Sequence, residues 1–192
     1  MKTSVIISAV LIGLSAIALT AKEQPVLETT AFDPGKFYGL IVNNNANIIL
    51  TQGENNSVRI EGEKSAAKKV KTEIQNGALV ITGGTDPVNI YVTAEDISMI
   101  ELNGTGKIYG RATISSDILL LIVNGHGSMK VDVKVLKVAM IVKGDGKIII
   151  SGSTGESFIK EFGNGRIFAE GLYSFSSVED RVITESKSEI KL

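Results

Sequence analysis

Four Gly-x-Gly tetrapeptides constrain this chain more than any other feature: Asn103-Gly104-Thr105-Gly106, Asn124-Gly125-His126-Gly127, Lys143-Gly144-Asp145-Gly146 and Phe162-Gly163-Asn164-Gly165. Their first glycines stand 21, 19 and 19 residues apart (125−104, 144−125, 163−144). The flanks keep the same phase. Four residues before each first glycine come Ile100, Leu121, Met140 and Ile159, and two before come Leu102, Val123 and Val142, with Glu161 breaking the series. Four residues after it come Ile108, Met129, Ile148 and Ile167. Apolar residues at period two on both sides of a glycine turn mark a strand-turn-strand unit. Its recurrence near every 20 residues marks a solenoid.

The phase extends backward with decay. Asn44 carries Leu40, Val42, Ile48 and Leu50 at the matching offsets, and Gly84 is followed by Val88, Ile90 and Val92. The step at Lys64 keeps only Val58, Ile60 and Val70. Counting these steps predicts about eight coils. Leucine-rich repeats would need a spaced Leu/Asn consensus, which is absent, so the expectation is a single-domain, all-β, parallel β-helix-like solenoid. A lone coil cannot stand. Its few buried aliphatics, at roughly 1.5–3 kcal/mol each, do not offset roughly 1–2 kcal/mol of backbone entropy per residue; stacking at about 4.8 Å makes up the difference. The paired glycines Gly104, Gly106, Gly125, Gly127, Gly144, Gly146, Gly163 and Gly165 are assigned to tight corners requiring positive φ.

Composition narrows the chemistry. The chain has 192 residues, no cysteine, and a formal net charge of −1, which excludes disulfides, thiolate metal sites and a global field for nucleic acid. Lys2, the apolar run Val5–Leu19 and the small residues Ala16, Ala18 and Ala21 have the order of a secretory signal peptide. The expected organisation is a signal peptide over 1–21, a linker or cap over 22–36, and the solenoid over 37–192. No membrane span is expected after cleavage, and export to the periplasm, outer surface or medium follows.

Phe37-Tyr38-Gly39-Leu40, Asn76-Gly77-Ala78-Leu79-Val80-Ile81, Val88-Asn89-Ile90-Tyr91-Val92 and the Gly-x-Gly array together resemble the head GIN domain family of bacterial auto-transporter adhesins. The resemblance covers roughly residues 37 to 190 and implies a right-handed β-helix-like domain of adhesin type. It carries no catalytic motif. This chain has Asn, Asn, Lys and Phe before the first glycines where the family usually has Ser.

Few residues offer chemistry. In-register stacking would place Thr105, His126, Asp145 and Asn164 along one edge, making His126 and Asp145 neighbours and weak candidates for ligand contact. A solvated corner ladder is the simpler reading. Lys64, Lys68, Lys69 and Lys71 form the one basic cluster, a solvated face able to meet an acidic polymer. Asp117, Asp132, Glu156 and Glu161 fall at different offsets from the turn, so stacking scatters them. That disfavours the alternative of a polysaccharide lyase or hydrolase. No catalytic, cofactor-binding or metal site is assigned; no Gly-Lys-Ser/Thr follows any glycine turn. The expected function is an exported, non-enzymatic module that binds a surface glycan, protein or envelope polymer, with a periplasmic structural protein as a further alternative. Charge rises abruptly over Ser174–Leu192, where an end coil with a charged outer edge is expected.

Overall fold

Aliphatic residues alternating with polar ones give the chain a strand-forming pattern almost throughout. In the computed structural model, which describes residues 27–84, 86 and 88–182, 72% of the described residues are strand and 3% helix. The N-terminal half comprises β1 (Leu27–Phe32), β2 (Gly39–Val42), β3 (Asn47–Gln52), β4 (Ser57–Glu63), the single turn of helix α1 (Lys64–Ala67), β5 (Lys71–Gln75), β6 (Ala78–Thr82) and β7 (Asn89–Ala94). Then follow β8 (Met99–Gly104), β9 (Lys107–Gly110), β10 (Ile114–Gly125), β11 (Ser128–Gly144), β12 (Lys147–Gly163) and β13 (Arg166–Val182).

All thirteen strands belong to one sheet wound back on itself. One face runs β5, β6, β2, β8 and then the C-terminal arms of β10 to β13; the other runs β1, β4, β7, β3, β9 and the N-terminal arms of β11 to β13. Inward side chains stack in columns. Leu79, Leu40, Ile100, Leu121 and Met140 form one, and Ile90, Ile48, Ile108, Met129 and Ile148 another, all buried. Each such side chain contributes roughly 1.5–3 kcal/mol of burial.

The expected β-solenoid is present, but it makes about four turns rather than eight coils. Sequence spacing overcounted because stacking order departs from chain order. The coil at Asn44 packs directly on the coil at Gly104, with Val42 beside Leu102 and Ile48 beside Ile108. The unit at Gly84 lies on its far side, through β6 against β2 and β7 against β3. The step at Lys64 is not a coil: it holds α1 and the antiparallel strands β4 and β5. β1 pairs antiparallel with β4, so part of the segment expected as a linker or cap is strand. The expected signal peptide lies outside the described residues.

At the other end the core turns polar. Glu161, which broke the aliphatic series, occupies the inward position of Leu102, Val123 and Val142, is 3% exposed, and accepts the Ile167 N–H at 2.7 Å. Among the described residues β13 is paired only on its β12 side, and it carries a one-residue register shift between Ile149 and Ser151 of β12.

Candidate functional site

The Gly-x-Gly corners stack as a ladder, and the two glycines of each pair are there for different reasons. Gly144 has φ +101, a left-handed conformation that costs an L-residue strain. Gly146 has no positive φ; a Cβ there would meet Gly127 O at 2.8 Å and Val123 Cγ1 at 2.5 Å. The same division holds for the other pairs: Gly104, Gly125 and Gly163 have positive φ, whereas Gly106, Gly127 and Gly165 face a neighbouring coil too closely for a side chain. Assigning positive φ to all eight is thereby corrected for the second of each pair.

Between the glycines, Thr105 Oγ1 donates to Asn45 Oδ1 at 2.8 Å, His126 Nδ1 lies 3.1 Å from Asp145 Oδ2, and Asn164 Nδ2 donates to Asp145 Oδ1 at 3.0 Å. A flanking ladder runs Asn124 to Asn103 at 2.7 Å and Asn103 to Asn43 at 2.8 Å. Stacking does make His126 and Asp145 neighbours, but their side chains are 68% and 49% exposed. Among the described residues no three His, Cys, Asp or Glu side chains converge, so the pair has the chemistry of a solvated rung. The basic residues sit apart from this corner, at the end of the solenoid where the antiparallel strands lie. Lys64 is in α1, Lys68 follows it, Lys69 pairs with Asp86 at 3.1 Å, and Lys71 opens β5.

Asp132 has a perturbed carboxyl. It sits on the face of β11 between Thr113 and Ser151, whose hydroxyls lie 2.7 Å from its two oxygens; the Thr113 bond first and the Ser151 bond second hold its pKa below the usual carboxylate value. No second acid lies in the same column. The scatter of acidic residues read from the sequence is what the register produces.

The larger feature is on the opposite corner, where the chain turns from one face to the other without glycine pairs. Here hydroxyls bend the backbone: Ser116 Oγ donates to Ile118 O at 3.0 Å, Thr154 Oγ1 to Glu156 O at 2.8 Å and Ser174 Oγ to Ser176 O at 2.7 Å. Just outside them, Ser115, Lys134, Ser153 and Tyr173 stack in one outward column. This column and the adjoining bend, with Asp117 and Leu136, line an open groove of about 1100 Å³ that reaches Asp96 and Tyr38 at its far end. Sequence reading missed it. The available signal was a Ser or Thr nine residues before the first glycine, at Ser116 and Thr154 but replaced by Val135 in the middle unit.

Residues 36–190 match the family model described as "Putative auto-transporter adhesin, head GIN domain". The chain belongs to the head GIN domain family. The resemblance seen in the sequence is therefore correct. Among solved structures, the head GIN chain is similar to a "putative adhesin" from Parabacteroides distasonis ATCC 8503, at TM-score 0.64 and 16% identity over 82% of this chain and 79% of that one. It is similar also to a "putative adhesin" from Parabacteroides merdae ATCC 43184, at 0.62 and 16% over 81% and 77%. A "putative lipid binding protein" from P. distasonis ATCC 8503 superposes at 0.65 and 12% over 81% and 78%. At these identities the likeness is one of fold. No curated protein matches the head GIN chain in sequence.

Proposed function

We propose that this head GIN protein is an exported, non-enzymatic β-solenoid that attaches to a surface or matrix, and that its groove is the contact face. The groove carries the reading: it encloses about 1100 Å³, runs across several coils, and presents charged, hydroxyl and apolar side chains that a ligand could contact. Family membership supports an adhesive role. The leader over residues 1–21 supports export, and the right-handed winding belongs to the same reading, since parallel strands joined by crossovers favour that hand. No helix among the described residues is long and apolar enough to cross a membrane.

The test has two arms. Surface labelling and fractionation of producing cells are expected to place the mature chain outside the cytoplasmic membrane. Purified protein incubated with neutral and acidic polysaccharides is expected to bind cells or matrix and release no product; reproducible product release would replace this reading with a carbohydrate-active enzyme.

A further inference from the structure

We infer that the groove is a binding site for neutral polysaccharide, laid across the coils with Tyr173 as its stacking platform. The inference rests on the attachment reading above and names its ligand class. Tyr173 is 73% exposed and Tyr38, at the far end, 55%. Tyr38 lies over Gly77, where a Cβ would meet its ring, and its hydroxyl donates to Asn76 O at 2.9 Å. Between the two tyrosines, Asp96, Asp117, Lys134 and Ser153 line the groove, and their side chains hold no hydrogen bond or ion pair among the described residues.

The geometry selects among ligand classes. The groove lies across the strands, and on either side of the bend at Asp117, Leu136 and Gly155 the backbones of β11 and β12 are paired with coils on both sides. No free strand edge faces the groove centre, so a peptide could not dock there by extending the sheet. Two carboxylates against one ammonium, Asp96 and Asp117 against Lys134, disfavour a polyanion. An acyl chain would need an enclosed apolar cavity, and these free polar groups interrupt any such path. A neutral glycan fits what remains. Its C–H faces can lie on the aromatic ring and on exposed Leu136. Its hydroxyls can donate to the carboxylates and accept from Lys134 and Ser153. From the Tyr38 rung to the Tyr173 rung is five strand spacings, roughly 24 Å, which accommodates an extended oligosaccharide rather than one sugar.

The probes are laminarin, xylan, mannan and dextran as neutral polymers, polygalacturonate and hyaluronate as acidic ones, and phosphatidylcholine vesicles, each titrated into the mature full-length chain. At least one neutral polymer is expected to bind. Tyr173→Ala should weaken that binding about tenfold or more, and Asp117→Asn should weaken it measurably. Phe175→Ala, even more exposed but outside the groove, should leave it unchanged and guards against a folding artefact. Binding confined to acidic polymers or vesicles, or neutral binding indifferent to Tyr173→Ala, would overturn the assignment. If cell attachment persists while no neutral polymer binds, the glycan assignment fails and the attachment reading survives; if nothing binds, both fail.

Discussion

The two halves of the solenoid reach a similar sheet by opposite routes. From β10 to β13 each coil stacks on its sequence neighbour, parallel and in register across nearly its whole length. From β1 to β7 antiparallel pairs and coils out of chain order fill the same role. The difference teaches what a strict period is for. Where spacing is held at 19 residues, each glycine corner stacks on the one before it, and the inward columns stay in register even where Glu161 replaces an aliphatic residue. Where spacing is lost, the strands turn back and cover the end, so their ordered N-terminal edge is closed by antiparallel β1 and β5 rather than by another coil. The C-terminal edge has no such cover among the described residues.

That contrast is most severely tested by removing the last coil. Deleting residues 174–192 uncovers the C-terminal arm of β12, including Ile159, which pairs with Glu179. The expected cost exceeds about 3 kcal/mol, seen as a lower melting temperature and earlier elution on size exclusion. An unchanged melt and elution volume would show that the C-terminal arm of β13 is dispensable. Ile167 and Phe168 already lie on the outermost described strand, so the deletion would not newly expose them from above.

Next come the corners. Gly146→Val drives its side chain into the Gly127 carbonyl and Val123, and should cost about 2–3 kcal/mol by overpacking. Gly144→Val adds positive-φ strain and should cost more than about 1 kcal/mol. Gly35→Ala in the N-terminal half has φ +87 but nothing within 4 Å of the new Cβ, so only strain applies, about 1 kcal/mol. Denaturant midpoints for these variants rank the two halves; equal losses at Gly146 and Gly35 would erase the distinction between stacked and unstacked glycines.

The array from Gly104 to Gly165 was legible because glycine spacing and inward alternation are local, one-dimensional signals that survive in a solenoid. The N-terminal half was not, since subtracting 20 from 104 three times measures distance along the chain while stacking is settled in space. One clue there was readable in principle. Asn76 and Gly77 have φ +49 and +77 between β5 and β6, the Asn-Gly hairpin turn that announces antiparallel pairing. The site divided likewise: the His126–Asp145 rung followed from register, but the groove depends on how far Tyr38 stands from Tyr173 after coils are reordered.

Smaller effects sharpen the picture of the hydroxyl corner and of the charged rungs. Thr154→Val removes the bond to Glu156 O at a position where the preceding coil already has Val135; a loss near 1 kcal/mol is expected by thermal melt. For Asp132 the folded pKa is depressed, chiefly by Thr113 and then Ser151. Its stabilisation is complete above the unfolded carboxylate pKa and lost as pH falls through the folded one. The stability advantage of the native chain over Asp132→Asn should therefore shrink on acidification, and a gap independent of pH would reject this origin. Smallest is His126→Ala, expected within about 0.5 kcal/mol because the rung is open to water.

The alternation of one 19-residue period with a freely varying outward column separates reach from chemistry. A tandem copy of the segment that begins at Lys147 and ends at Gly165 carries its own corner and its own inward column, so it could be threaded between existing coils without redesigning either end. Each such event would lengthen the molecule by about 4.8 Å. The column Ser115, Lys134, Ser153, Tyr173 changes side-chain type at every rung, which makes the solenoid a scale on which length is gained by duplication and meaning by point substitution.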